Sequence, residues 1–174
     1  MKIAIIGYSG SGKSTLARKL GTILQSEVLH FDTVQFLPGW EIRTEEEKKK
    51  ITKEFLDTHD SWVIDGNYSK LFHERRMAEA DIIIITLFNR FSCLYRVVRR
   101  YLQYKGTTRP DMSVGCNEKL DWEFIKWILY EQRTKQAKNR YAQVRSQYRE
   151  KVIVVKNQRQ LDNCLKKLSR SIGI

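Results

Sequence analysis

Apolar residues along this chain follow two alternating patterns. Short continuous runs rich in Ile and Val are strand-length, and between them lie stretches whose apolar positions recur every three or four residues, as on one face of a helix. The runs Lys2 to Ile6, Ser26 to Asp32, Ser61 to Tyr68, Ala80 to Phe88 and Lys151 to Asn157 predict five strands. Ile82 to Ile85 is apolar on both faces, as expected in the middle of a parallel sheet covered by helices. Helical spacing predicts helices from Ser14 to about Gln25, from Thr44 to about Thr58 and from Phe91 to Leu102. A further helical stretch begins at Leu120 and breaks near Glu131-Gln132-Arg133, and a closing amphipathic helix spans Gln160 to Leu168. Thr44 with Glu47 three residues on is a capping-box signature. Gln103 to Lys119 has no period and reads as a mobile loop. Strands that alternate with helices imply an α/β fold with a parallel sheet and right-handed crossovers. Lys48, Lys49 and Lys50 read as a solvated face, and Trp122, Trp127 and Tyr130 as core packing.

One stretch carries chemistry outright. Gly7-Tyr8-Ser9-Gly10-Ser11-Gly12-Lys13-Ser14, followed by Thr15, matches G-x-x-x-x-G-K-[ST] between a strand and a helix. This is the P-loop pattern. Successive backbone N–H groups wrap a phosphate chain, and glycines let the backbone come close. The N-terminus of the following helix adds partial positive charge beside the anion. Lys13 would bridge the outer phosphates, and the Ser14 hydroxyl would ligate Mg²⁺. The expected cofactors are therefore ATP and Mg²⁺.

Two carboxylates close predicted strands. Asp32 and Asp65 both fall at carboxyl ends, where open α/β sheets place their ligands. Asp65, followed by Gly66, is the natural metal partner of Ser14, and Asp32 is a candidate to orient or deprotonate an acceptor oxygen. Arg96 and Arg100 stand four apart and share a helix face, suited to neutralising a phosphoryl group in transfer. Arg133 and Arg140, seven apart, would share another face if their helix were unbroken. Tyr68, Lys70 and Arg75 follow the third strand in a segment that could face the acceptor.

Composition narrows the classes. A chain of 174 residues suits one domain with a real core. Cys93, Cys116 and Cys164 are far apart and lack metal-ligand spacing, as do the three histidines, so reduced structural thiols and no zinc site are expected. No apolar run approaches a membrane span and the first strand runs directly into the P-loop, so a cytoplasmic protein without membrane partners is expected. The formal charge is +12, and residues 90 to 151 hold 15 Lys/Arg against 6 Asp/Glu. That surplus suits either a highly charged nucleotide substrate or a nucleic acid.

With these residues placed, the chain resembles the adenylate-kinase-like branch of P-loop kinases. Over nearly its whole length it is similar to the bacterial proteins labelled topology modulation protein, related to FlaR, through IIGYSGSGKSTLARKL, VIDGNYSK, LYRVVRRYLQYKG, TRPDM, GCNEKLDWEFIKWI and KVIVVKN. The resemblance implies a three-layer P-loop NTPase fold with sheet order 2-3-1-4-5, an acceptor-side helical insert around residues 35–60 and a helical lid around residues 103–132. In the nucleoside monophosphate kinases a strand ends in Asp-Gly, which matches Asp65-Gly66, and a helix before the lid carries two arginines four apart, which matches Arg96 and Arg100. The kinase reading, with a nucleotide or other small acceptor, then takes Lys13, Asp32, Asp65, Arg96, Arg100, Arg133 and Arg140 as its working residues. After Asp-Gly the monophosphate kinases continue Phe-Pro-Arg, whose Arg holds the acceptor phosphate, whereas this chain has Asn67-Tyr68-Ser69-Lys70. The usual acceptor reader is absent. Two further readings stand beside the kinase: an ATP-dependent nucleic-acid-binding protein affecting DNA topology, and a nucleotide-switched interaction protein.

Overall fold

In the computed structural model, which describes residues 1–171, the five strands form one all-parallel sheet. They are β1 (Lys2–Gly7), β2 (Glu27–His30), β3 (Trp62–Asp65), β4 (Ile82–Thr86) and β5 (Val152–Val155). Their order is β2-β3-β1-β4-β5, the order expected for a P-loop NTPase. Ile3 pairs with Val63 on one side and Ile82 on the other, so β1 is central. The Ile-rich runs suit this position because both faces of the sheet are covered, and burying one Ile side chain stabilises by about 1.5–3 kcal/mol.

Helices fill both faces. On one side α1 (Lys13–Leu24), α5 (Arg90–Tyr104), α6 (Trp122–Leu129) and α8 (Gln158–Ser171) pack with Ile3, Ile5 and Ile84 through Leu16, Val97, Ile128 and Leu161. On the other, α2 (Phe31–Gln35), α3 (Glu45–Thr58), α4 (His73–Glu79) and α7 (Lys135–Gln147) pack with Ile6 and Ile64 through Phe31, Leu56, Met77 and Val144. The result is the expected helix–sheet–helix layering. Thr44 and Glu47 close the capping box of α3.

Several expectations are corrected. Lys48 is not on a solvated face: it is buried, its ammonium donating to Gln35 Oε1 at 3.1 Å and to Glu45 Oε1 at 2.5 Å. Trp122, Trp127 and Tyr130 are 71%, 43% and 61% exposed rather than core, because α6 is apolar on nearly every side and turns Phe124 and Ile128 inward. Arg133 and Arg140 share no face, because a 3-10 turn at Glu131–Arg133 and the Thr134 N-cap start α7 afresh. Asp32 begins α2 rather than ending a strand, and the segment after β3 contains the short helix α4, where Arg75 pairs with Asp57 and Glu79.

Candidate functional site

The loops after β1 and β3 and the β2–α2 junction build the site at the carboxyl ends of strands, and the α5–α6 connection and the 3-10 turn before α7 complete it. The loop after β1 is held in shape by contacts that spare its interior. Tyr8 N donates to Thr86 O at 3.0 Å, and the fully buried Ser11 hydroxyl meets Tyr8 O and Thr86 Oγ1, each at 2.6 Å. Gly7 has φ +141°, and a Cβ there would lie 2.3 Å from Thr86 O, so only glycine fits. At Gly12, φ is +92° and a Cβ would lie 2.8 Å from Arg96 Nη1. Lys13 Nζ donates to Tyr8 O at 3.0 Å and so lies across the loop.

Two amides brace this loop from outside. Asn67, on the β3–α4 connection, accepts from Gly7 N and donates to Gly7 O, both at 2.9 Å. Gln132, on the 3-10 turn, accepts from Ser9 N at 2.6 Å. Beside it, Arg133 lies 4.0 Å over the Tyr8 ring and donates to Phe88 O at 2.9 Å. Arg133 therefore supports the loop from behind.

Asp65 stands at the end of β3, buried, and Oδ2 accepts from His30 Nδ1 at 3.2 Å, since a carboxylate oxygen can only accept. Its Oδ1 is buried with no hydrogen-bond partner among the described residues. Burial pushes the Asp65 carboxyl up. The His30 bond, the Lys13 charge and the Ser14 hydroxyl together outweigh it, so the group is held below its usual value and is ionised at neutral pH. A buried anion with one free lone-pair face next to a hydroxyl is a donor set that suits a hard divalent cation. Among the described residues no group of three or more His, Cys, Asp or Glu side chains could hold a metal by itself.

Across the cleft, Asp32 accepts from Tyr68 Oη at 2.9 Å and from Arg109 Nη2 at 2.9 Å. Arg109 comes from the irregular connection between α5 and α6. It is only 8% exposed, lies 3.3 Å from Glu118 Oε1, and sets Nε 3.5 Å from Asp111 without a hydrogen bond. Arg100 Nε donates to Glu118 Oε2 at 3.1 Å. Burial first, and then the Arg109 charge, push the Arg100 guanidinium down, while Glu118 opposes them. Burial and Asp32 both push the Tyr68 hydroxyl up, so it donates rather than ionises. Arg96, 4.5 Å over the Phe88 ring, contacts Ser11 O at 3.5 Å and Gln158.

One cavity of about 990 Å³ joins these groups. Ser9, Gly10, Gly12, Lys13, Ser14 and Thr15 line one end, Asp32, Tyr68, Arg100 and Arg109 another, with Asp65 and Arg96 between and Phe36, Trp40 and Phe124 as aromatic walls. Of the residues singled out from sequence, Lys13, Ser14, Asp32, Asp65, Arg96 and Arg100 are thus brought together. Arg133 sits beneath the loop, and Arg140 lines a separate cavity beside α7. Sequence reasoning missed Arg109, Glu118, His30, Asn67 and Gln132. Only Asn67, beside the Asp-Gly turn, stood next to a recognisable signal.

The fully buried Arg76 fixes the β3–α4 connection. It donates to Leu71 O and Tyr68 O at 2.8 Å and to Gly66 O at 3.3 Å, and packs 4.4 Å from the Phe31 ring. Its bonds to Gly66 O and Tyr68 O, on either side of Asn67, fix the backbone that carries Asn67 and Tyr68.

Among known proteins, the chain is similar in fold to deoxyadenosine kinase from M. mycoides with dCMP and dCDP bound, at 17% identity and a TM-score of 0.55, covering 99% of this chain and 100% of that one. It is likewise similar to shikimate kinase from Bacteroides thetaiotaomicron, at 17% identity and a TM-score of 0.54, covering 100% and 99%. A 62-residue stretch is 39% identical to tRNA dimethylallyltransferase of Paenarthrobacter aurescens; it spans 33% of this chain and 20% of that relative's length. No family model matches the chain. The structural likenesses establish a P-loop kinase-type fold.

Proposed function

We propose that this protein is an ATP-dependent phosphotransferase of the adenylate-kinase-like kind that passes a phosphoryl group to the hydroxyl or phosphate oxygen of a small acceptor held at Asp32. The observation that carries this reading is a single cleft lined both by the P-loop with Asp65 and by Asp32, a carboxylate paired with the buried Arg109. The kinase-type fold supports it, since the likeness to deoxyadenosine kinase and shikimate kinase extends over 99% and 100% of this chain. The bacterial proteins labelled topology modulation protein are the finer grouping the sequence suggests.

Phosphoryl transfer needs positioning and charge stabilisation more than covalent chemistry. The P-loop backbone and the α1 N-terminus cradle the phosphates, and Lys13 leaves Tyr8 O to meet them. Ser14 and the free face of Asp65 would hold Mg²⁺, which supplies neutralisation of phosphate charge when bound. Where the acceptor is a hydroxyl, Asp32, oriented by Tyr68, accepts its proton as the oxygen takes the phosphoryl group and ADP leaves. Arg96 and Arg100 stabilise charge on the group in transfer. The connection 103–132 serves as the lid: Ser113 donates to Phe36 O, Cys116 Sγ to Leu37 O at 3.2 Å and Trp40 Nε1 to Asn117 O at 3.1 Å, and these close it over residues 35–60.

The test is a panel of nucleosides, nucleoside monophosphates and small hydroxy acids incubated with ATP·Mg²⁺, reading ADP and phosphorylated product. A match to one acceptor, abolished in Lys13→Ala, supports the reading. ADP formation that is unchanged in Lys13→Ala, or no product with any acceptor despite tight ATP binding, contradicts it.

A further inference from the structure

A second cavity of about 880 Å³ opens between the β3–α4 connection and α7, and it is where Arg140 goes. Asn67 and Trp127 line both cavities, so the groove adjoins the P-loop cleft. Three exposed cations stand on its rim: Lys49 of α3, Lys70 of the connection and Arg140 of α7. None of the three forms a hydrogen bond or ion pair among the described residues. The other cation, Arg75, is already neutralised by Asp57 and Glu79. Of the two acids that line it, Glu131 is paired with Lys126 and Glu74 forms no ion pair among the described residues; Glu45, itself paired with Lys48, also lies near enough to Lys49 and Lys70 to interact with their charges. Phe72, Tyr141 and Tyr148 line its walls as half-buried rings packed against the core, with Tyr141 edge-on to Tyr8 and Lys151 lying 5.1 Å over the Tyr148 ring. Along α7 the basic character continues through Lys135, Lys138 and Arg145, with no acidic residue in the helix.

We propose that this groove binds a single-stranded nucleic acid, with backbone phosphates on Lys49, Lys70 and Arg140 and bases against the aromatic walls. Unpaired cations beside stackable rings are the combination that holds single strands without sequence preference. The three cations come from three separate elements, α3, the β3–α4 connection and α7, which suits contacts to more than one phosphate along a strand. The proposal goes beyond phosphoryl transfer to a small acceptor and does not rest on it.

The test is fluorescence anisotropy of a labelled oligothymidylate, about ten nucleotides long, titrated with the full chain between 50 and 200 mM salt. Three phosphate contacts predict a slope of about −2 for log affinity against log salt. Lys70→Ala and Arg140→Ala are each expected to weaken binding at least threefold at 50 mM salt and to flatten the slope by about 0.7, the value for one lost contact. Lys19→Ala, on the opposite helical layer, is expected to leave both unchanged. The proposal is overturned if no saturable binding occurs at 50 mM salt, or if Lys19→Ala weakens binding as much as the groove variants. It is also overturned if thymidine monophosphate displaces the strand at equal nucleotide concentration, which would make the groove a mononucleotide site. ATP-induced thermal shifts on Lys70→Ala report the P-loop independently, so failure here and failure of the phosphotransferase reading give different results.

Discussion

Replacing Arg109 by Met tests whether one guanidinium ties the connection between α5 and α6 to the acceptor side of the cleft. The change keeps much of the apolar stem and removes three charge contacts: Asp32 at 2.9 Å, Glu118 at 3.3 Å and Asp111 at 3.5 Å. The Asp32 side chain is 41% exposed, so solvent screens that pair and it contributes about 0.5–1 kcal/mol. Glu118 and Asp111 are nearly buried, but Glu118 keeps Arg100, so the penalty on that side is well below the 3–5 kcal/mol of a fully orphaned buried charge and is about 1–1.5 kcal/mol. The total, about 2 kcal/mol, corresponds to about 30-fold in a local opening equilibrium. Hydrogen exchange of the amides of residues 105–121 is therefore expected to speed by about 30-fold, with β1 and β4 amides unchanged. Exchange accelerated less than threefold, or accelerated equally throughout the sheet, would refute the assignment of Arg109 as the tie.

Three more predictions follow from buried geometry. Arg76→Met leaves the carbonyls of Gly66 and Leu71 without the Arg76 donor, while Tyr68 O keeps Leu71 N; at about 1–3 kcal/mol for each buried unsatisfied group, a loss of about 3 kcal/mol and of about 10 °C in Tm is expected by calorimetry. Gly7→Ala forces a Cβ to 2.3 Å from Thr86 O, so at least about 3 kcal/mol of stability and all ATP-induced thermal shift are expected to be lost. The Asp65 carboxyl sits lower in the folded chain than in the unfolded one, so its stabilisation is fully present above about pH 4 and is lost as pH falls through the folded value. The difference in Tm between the wild type and Asp65→Asn is accordingly expected to be widest near neutral pH and to narrow below pH 4.

Much of the fold was legible because its signals are local. The Ile runs of β1 and β4, the Thr44–Glu47 box and the glycines of the P-loop each declare themselves within a few residues. Asp65, Arg96 and Arg100 were legible because a strand end and a helix face confine where a side chain can point, and Asp32 because it falls in the first turn of the helix that follows β2 directly. Arg109 and Glu118 were hidden in an aperiodic segment, where only contact with Asp32 and Arg100, distant in sequence, gives them a role. Gln132 was hidden likewise, since its partner is the backbone of Ser9. Periodicity could not orient α6, apolar nearly all round, so Trp122 and Tyr130 were placed inside when they face outward. Lys48 was placed outside for the opposite reason: its partners Gln35 and Glu45 bury it through polar contacts that a hydrophobic pattern does not register.

The central claim is that the P-loop and Asp32 act on one phosphoryl group. A single-turnover reaction with ATP labelled at the γ-phosphate, run in wild type and Asp32→Asn with the acceptor identified from the panel, tests it most directly. The account predicts label on the acceptor in the wild type, at least about 100-fold slower transfer in Asp32→Asn, as expected for loss of general-base assistance, and ATP affinity within threefold of wild type. Label recovered only as inorganic phosphate, or transfer at the same rate in both proteins, would contradict it.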